Sequence, residues 1–137
     1  MGTITDDQVS IFLLDTHTLL WWLFNDSRLS ITAFEIIQNP EHTILVSSAS
    51  GWEIATKYRL GKLPHAGEAA TNLPSLLRQA RMEVLPITME HSLAAGALPG
   101  PHRDPFDRML IAQSRIEGCP IITTDSAFKQ YPVTLIW

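Results

Sequence analysis

The sequence predicts an α/β protein in which helices flank a central, mostly parallel sheet. Five short apolar runs rich in branched side chains alternate along the chain with six segments of helical pattern. Short uninterrupted apolar runs are typical of strands that are buried on both faces. Because the two kinds of segment alternate, we expect βαβ units with parallel strand pairing. The length of 137 residues suits one domain covering 1–137, with 1–9 as a flexible N-terminal segment.

The elements follow one another without a linker, a repeat or a low-complexity segment. The predicted strands are 11–15, 43–47, 83–87, 120–124 and 133–136, and the predicted helices are 17–24, 30–39, 48–60, 67–81, 89–97 and 105–117. Local signals mark several helix ends. Ser47 or Ser48 can cap the third helix, and Gly61 suits the position just after it. Asp104 suits the start of the sixth helix and Gly118 its end.

Composition and charge restrict the class of protein. The net charge is −4, with 14 acidic against 10 basic residues, which does not indicate nucleic-acid binding but leaves room for a local basic stripe. No run approaches the roughly 18 apolar residues of a membrane span. Residues 1–7 lack the basic start of a signal peptide. The single cysteine, Cys119, fits a reducing compartment, so we expect a cytoplasmic protein without membrane association.

Two of the apolar runs end in a single aspartate, Asp15 after the first and Asp125 after the fourth. If both strands lie in one parallel sheet, their carboxyl ends share the edge at which open α/β sheets place their sites. Glu53 in the third helix and Asp107 in the sixth would project from the same edge. Converging carboxylates repel one another unless a cation is present, and their oxygens suit Mg²⁺ or Mn²⁺. Such an ion activates water and stabilises charge on a phosphodiester.

Each acid also has a purely structural interpretation. Asp15 and Asp125 suit caps or turns, and for Asp104 the role of helix cap is the favoured one. Glu53 lies four residues before Lys57, which is the spacing of a solvated ion pair on a helix. The convergence of four acids favours a site, since independent caps need not meet.

Basic and aromatic residues near the acids predict two accessory roles. Two basic residues lie near the acids: Lys57 is one turn beyond Glu53, and Arg108 follows Asp107. Each can hold a phosphate or can belong to a surface of weak ion pairs. The adjacent Trp21 and Trp22 point in different directions on the first helix, so we expect one in the core and one available to a partner. No zinc-site spacing, Gly-rich phosphate loop or nucleophile elbow occurs in the sequence.

Five segments taken together resemble PIN-domain ribonucleases, and within them the VapC-type toxins of bacterial toxin–antitoxin modules. They are Phe-Leu-Leu-Asp-Thr-His-Thr-Leu-Leu-Trp-Trp (12–22), Val-Ser-Ser-Ala-Ser-Gly-Trp-Glu-Ile-Ala-Thr-Lys-Tyr-Arg-Leu-Gly-Lys-Leu (46–63), Leu-Pro-Ile-Thr (85–88), His-Arg-Asp-Pro-Phe-Asp-Arg-Met-Leu-Ile-Ala-Gln (102–113) and Ile-Thr-Thr-Asp (122–125). They occur in the family's order and extend over nearly the whole chain. The departures are small: Gly51 stands where a larger apolar residue is more frequent, and Ser114 where alanine is common.

The resemblance implies a three-layer sandwich with a five-stranded sheet between helices. It implies an endoribonuclease that depends on Mg²⁺ or Mn²⁺ and hydrolyses RNA with an activated water. The family's catalytic and metal-binding acids fall on Asp15, Glu53, Asp107 and Asp125, and the accessory candidates are Asp104, Thr16, Lys57 and Arg108. It also implies a cognate antitoxin, with Trp21 and Trp22 as candidate contacts, and a homodimer or a toxin–antitoxin hetero-oligomer.

Alternatives from other classes remain open. The chain can act mainly within an antitoxin-bound, DNA-binding autoregulatory complex, or it can be another metal-dependent phosphoryl hydrolase. A haloacid-dehalogenase-like enzyme needs a second aspartate two residues after Asp15, where His17 stands. A phospho-acceptor receiver domain needs an adjacent acidic pair on the first loop and a lysine after the last central strand. Neither is evident, since Lys129 is the only candidate for that lysine and falls in a helical segment.

Overall fold

A computed structural model describes residues 10–137, and the predicted flexible segment 1–9 lies outside the described residues. Five strands form one sheet in the order β3-β2-β1-β4-β5, and every neighbouring pair runs parallel. They are β1 (Ile11–Leu14), β2 (Thr43–Ser47), β3 (Glu83–Leu85), β4 (Ile121–Ile122) and β5 (Leu135–Ile136). The predicted parallel α/β class is confirmed. The strand that precedes Asp15 lies beside the strand that precedes Asp125, in the register Leu14 to Ile122.

Several predicted strands are too long at their carboxyl ends. Asp15 leaves β1 because its carboxylate caps the following helix. Strand β3 ends at Leu85 because Pro86 follows it and has no N–H for the ladder. Beyond Ile122 the chain turns toward a short 3₁₀ helix at Ser126–Gln130.

Six α-helices occupy the six predicted positions. They are α1 (Thr16–Leu23), α2 (Ile31–Gln38), α3 (Ser48–Arg59), α4 (Gly67–Gln79), α5 (Met89–Ala97) and α6 (Pro105–Glu117). Helix α4 is kinked at Asn72, whose φ is −136°, just before Pro74. Proline lacks the donor for the intrahelical hydrogen bond and its ring presses on the preceding turn, which explains a kink at this point. Within the described residues, no helix is long and apolar enough to cross a membrane.

The predicted helix ends are confirmed in detail. The Ser47 hydroxyl accepts a hydrogen bond from the Ala49 N–H at 3.0 Å and so caps α3. Gly61 and Gly118 follow α3 and α6 in the left-handed backbone conformation, with φ of 77° and 70°. Side chains other than glycine rarely adopt this conformation, so both glycines end their helices at a defined residue.

The core consists of one apolar cluster on each face of the sheet. Successive strand side chains point to opposite faces, so Leu14 and Val46 join helices α1 to α4, whereas Leu13 and Ile121 join α6 and the 3₁₀ helix. Each fully buried leucine or isoleucine contributes roughly 1.5–3 kcal/mol. The two clusters hold the carboxyl edge of the sheet between helices on both sides, which confirms the three-layer sandwich.

Candidate active site

The four acids lie at or near the carboxyl edge of the sheet because of the direction of their elements. Asp15 follows β1 directly, and Asp125 follows β4 after a short turn. Helix α3 starts at that edge immediately after β2 and carries Glu53 in its second turn. Helix α6 leads back to the opposite end of β4, so its first turn, with Asp107, also lies at the carboxyl edge.

Asp15 caps α1, as its structural interpretation predicts, and it is also a buried acid. Its side chain is 5% exposed. One carboxylate oxygen accepts a hydrogen bond from the Thr18 N–H at 2.8 Å, and the other accepts one from the Thr123 hydroxyl at 2.5 Å. Burial raises the pKa of Asp15, and the hydrogen bonds from Thr123 and Thr18 offset only part of this effect. The structure therefore places a destabilised negative charge at the end of β1.

Glu53 lies in contact with two other predicted site residues. It is buried, and its Oε1 accepts a hydrogen bond from the Thr16 hydroxyl while its Oε2 binds the Lys57 ammonium, both at 2.5 Å. Partial burial lowers the pKa of Lys57, but Glu53 and the negative charges of Asp104 and Asp107 raise it on balance. Lys57 thus lies within the field of three acids, although its direct partner is the one that its helical spacing predicts.

Asp107 is a second acid of the edge whose pKa is raised. Its pKa is raised to about 6. The main cause is burial, the negative charges of Asp104 and Glu53 add to it, and His102 acts in the opposite direction. The His102 Nε2 lies 2.8 Å from Asp107 Oδ2. The influence of Glu53 on Asp107 indicates that acids from α3 and α6 lie close together, as the direction of the two helices predicts.

Three other predicted residues have mainly structural contacts. Asp104 caps α6 by accepting hydrogen bonds from the N–H groups of Phe106 and Asp107, as the sequence favours. Asp125 is exposed and caps the 3₁₀ helix through the Ala127 N–H at 2.9 Å. Arg108 donates to four backbone carbonyl groups and does not extend toward the acids as a free phosphate ligand.

Sequence reasoning missed the threonine that joins the two strand-end aspartates. The Thr123 hydroxyl donates to Asp15 and also accepts a hydrogen bond from the Asp125 N–H at 3.0 Å. The strand register accounts for it, because pairing Leu14 with Ile122 places Thr123, the residue after β4, opposite Asp15. The contact between His102 and Asp107 is likewise not predicted by the sequence pattern.

The donor chemistry of the edge fits a hard divalent cation, although no ligand cluster is already assembled. Within residues 10–137, no group of three histidine, cysteine, aspartate or glutamate side chains is arranged to hold a metal ion. Asp15, Glu53 and Asp107 instead use protein hydrogen bonds to offset their burial. Buried carboxylates with raised pKa values and no arginine partner are the oxygen donors that Mg²⁺ or Mn²⁺ would stabilise.

The two adjacent tryptophans lie away from the acids, beside a surface cleft. Both are half-buried, and Trp22 packs against the apolar core cluster of that face, so the expected division into a core tryptophan and a partner-facing one is met only in part. Trp22 packs against Phe34 with ring centroids 5.3 Å apart, and Trp21 packs against Trp137 at 5.7 Å. Both rings lie at the rim of a cleft of about 520 Å³ between α1 and α2.

Comparisons with known proteins agree with the fold and the motifs. Residues 12–133 match the family described as PIN domain. Ribonuclease VapC22 of Mycobacterium tuberculosis is 28% identical over 91% of this chain and 97% of its own length. Ribonuclease VapC16 of the same organism is 42% identical, but the match spans only 44% of this chain and 41% of that protein.

Solved structures show the same architecture at low sequence identity. VapBC2 from Rickettsia felis, bound to a promoter DNA fragment, has a TM-score of 0.65 and 18% identity over 92% of this chain and 97% of the other. VapC20 of Mycobacterium tuberculosis, described as a toxin that cleaves the sarcin–ricin loop, has a TM-score of 0.61 and 20% identity over 91% of this chain and 97% of the other. At these identities the likeness concerns the fold.

Proposed function

The chain belongs to the PIN domain family, and from that premise we propose that it is a metal-dependent endoribonuclease acting as the toxin of a toxin–antitoxin pair. The observation that carries the proposal is a set of three carboxylates at the carboxyl edge from three separate elements, the buried Asp15 and Glu53 and the half-buried Asp107. Burying charge is costly, so such a set persists where it serves a ligand. The similarity to ribonuclease VapC22 over nearly both whole chains supports RNA as the substrate.

We propose Asp15, Glu53 and Asp107 as the residues that hold Mg²⁺ or Mn²⁺, with Asp125 joining them directly or through water. A divalent cation at these oxygens supplies water activation and neutralises the charge that develops on a phosphodiester. Asp15 and Asp107 supply negative charge from rigid positions, the end of β1 and the first turn of α6. The Thr123 hydroxyl links the Asp15 carboxylate to the backbone N–H of Asp125, whose own carboxylate accepts from the Ala127 N–H.

Lys57 is the accessory residue that best suits a phosphate. It is partly exposed, lies in the field of Glu53, Asp104 and Asp107, and has a flexible stem. Once Glu53 turns toward a cation, the Lys57 ammonium is free to bind an RNA phosphate beside it. Arg108 is less suited because its donors already bind carbonyl groups. Thr16 acts through Glu53, to which its hydroxyl donates.

The proposed partner is a small antitoxin protein. The rim of the cleft between α1 and α2 includes Trp21, Trp22 and Phe34, and exposed aromatic surface of this kind is typical of protein interfaces. A second candidate function, in an autoregulatory DNA-binding complex, is favoured by the relative VapBC2, whose structure includes promoter DNA. The buried free thiol of Cys119 is compatible with the reducing cytoplasm, which we propose as the location.

Purified protein without its antitoxin tests the activity. Incubated with transfer, ribosomal and messenger RNA, it should cut RNA with Mg²⁺ or Mn²⁺ and not with EDTA, and Asp107→Asn should abolish the cut. The matched control is Glu41→Gln, which removes an exposed acid far from the edge and should cut like the wild type. RNA cleavage by Asp107→Asn at the wild-type rate would rule out the assigned site, and cleavage in EDTA would rule out metal dependence.

A further inference from the structure

We propose that His102 is a positioning residue for Asp107, and that Arg108 holds His102 in place by binding the backbone of the loop that carries it. The inference rests on the proposed function, in which Asp107 binds a cation. It assigns Arg108 a role other than phosphate binding.

Arg108 connects the end of α5 to the loop before α6. Its Nε donates to the Ala95 carbonyl at 3.1 Å, and its Nη2 donates to the Leu98 carbonyl at 2.6 Å and to the Gly96 carbonyl at 3.3 Å. These are carbonyl groups that the last turn of a helix leaves without intrahelical partners. The remaining contact runs from Nη1 to the His102 carbonyl at 3.0 Å. One planar guanidinium therefore fixes both ends of the loop.

The loop needs such a fixed point because its own sequence cannot form regular structure. Between Leu98 and His102 it contains two prolines, which have no N–H, and Gly100, whose φ is +103°. A backbone of this kind has few hydrogen bonds of its own, and the position of His102 would otherwise vary. Arginine suits the task better than lysine because its donors form a rigid fork.

His102 then determines the rotation of the Asp107 carboxylate. Its Nε2 donates to Oδ2 at 2.8 Å, and no hydrogen bond in residues 10–137 involves Oδ1. A carboxylate held through one oxygen leaves the other available to a ligand, and the charge of Glu53 acts on this same carboxyl group. Without His102, repulsion by Glu53 and Asp104 favours rotation of the Asp107 side chain toward solvent. Hydrogen bonds of this kind to a ligating side chain typically change metal affinity by 10–100-fold.

The side chains of this arrangement lie within seven consecutive residues. In His102-Arg103-Asp104-Pro105-Phe106-Asp107-Arg108, Asp104 starts the helix, the first turn brings Asp107 back toward His102, and Arg108 follows at once. Arg103 lies in the same loop, is exposed and carries the same charge as Arg108. It therefore provides a matched control for any effect of charge alone.

The test measures Mn²⁺ affinity by electron paramagnetic resonance at fixed pH in the absence of RNA. His102→Ala should weaken Mn²⁺ binding about 10–100-fold, and His102→Gln should recover most of the loss because its amide nitrogen reaches the position of Nε2. Arg108→Lys should weaken binding and shift the His102 ring nitrogen resonances of the metal-free protein, whereas Arg103→Ala should do neither. In cleavage assays, the His102→Ala loss should appear in kcat at subsaturating metal and diminish at high Mn²⁺.

Two results would overturn the proposal. One is wild-type Mn²⁺ affinity in His102→Ala, and the other is an equal loss in His102→Gln and His102→Ala, which would indicate packing and not a donated hydrogen bond. Thermal unfolding of each variant shows that the comparison concerns folded protein. Failure of the proposed function is a separate outcome, since it appears as wild-type protein that binds Mn²⁺ but cuts no RNA.

Discussion

Replacing Asp107 by asparagine should stabilise the metal-free protein while abolishing RNA cleavage. Asparagine has the shape of the protonated acid and can still accept the hydrogen bond from His102. In the wild type, burial and the charges of Asp104 and Glu53 raise the pKa of Asp107 from 3.8 to about 6. The folded state therefore binds a proton more tightly than the unfolded state, and ionisation at neutral pH works against folding.

The magnitude follows from the two pKa values. Above pH 6 the ionised Asp107 destabilises the fold by at most about 3 kcal/mol, since a tenfold change in an equilibrium constant corresponds to about 1.4 kcal/mol. The side chain is 16% exposed, so little of this is lost to solvent screening. As the pH falls from 6 toward 3.8 the native acid becomes protonated and the penalty diminishes. The stabilisation by Asp107→Asn should be about 1–3 kcal/mol at pH 7.5, about 1 kcal/mol at pH 4.5 and negligible below pH 3.8.

Urea unfolding in EDTA at pH 7.5, 4.5 and 3.5 measures this difference. The control is Asp26→Asn, because the hydrogen bonds from Arg28 lower the pKa of Asp26 to about 2, so its removal should not stabilise the protein at any pH. Adding Mg²⁺ at pH 7.5 should stabilise the wild type and not Asp107→Asn. An Asp107→Asn protein that is no more stable than the wild type at pH 7.5 would refute the argument that the ionised Asp107 destabilises the fold.

Three further changes test other parts of the structure. Asp104→Asn should keep both the helix cap and RNA cleavage. Asp104→Ala should lose the cap and lower the free energy of unfolding by about 1 kcal/mol in urea titrations. Loss of cleavage in Asp104→Asn would instead make Asp104 a ligand. Gly51→Ala should stabilise α3 by about 0.5–1 kcal/mol in the same assay, because a Cβ there would meet Leu73 Cδ2 at an ordinary 3.7 Å; a destabilised variant would contradict this. Thr123→Val removes the hydroxyl that binds Asp15 and should cost about 1–3 kcal/mol at pH 7, while Thr124→Val on the exposed neighbour should cost much less.

Much of the fold was predictable because its signals are local. The apolar run Ile11–Leu14 and the run at Thr43–Ser47 identify buried strands, and Gly118 identifies the end of α6. Errors occurred where a side chain determines a boundary. The apolar pattern predicts a strand that extends to Asp15, yet the Asp15 carboxylate accepts a hydrogen bond from the Thr18 N–H and the helix begins one residue earlier than predicted.

The candidate site was predictable in part. Placement of acids at one sheet edge follows from the direction of strands and helices, which alternation in the sequence already implies. The partners of those acids do not follow, because they join residues far apart in the chain. The bond from Thr123 to Asp15 spans 108 positions, and that from Thr16 to Glu53 spans 37. Likewise, the charge of Arg108 leaves a phosphate ligand and a surface ion pair equally open, and only the position of the α5 carbonyl groups shows how its donors are used.

By itself, the sequence determined the α/β class, the order of the elements and the identity of the acids that can meet at one edge, because periodicity, caps and strand direction depend on neighbouring residues. The tertiary structure alone decided that Asp15 is cap and buried acid at once, that the Thr123 hydroxyl links it to the Asp125 N–H, and that His102 contacts Asp107. These facts depend on register and on packing across the sheet. A hydrogen bond is made or lost within about an ångström, a precision that no pattern along the chain supplies.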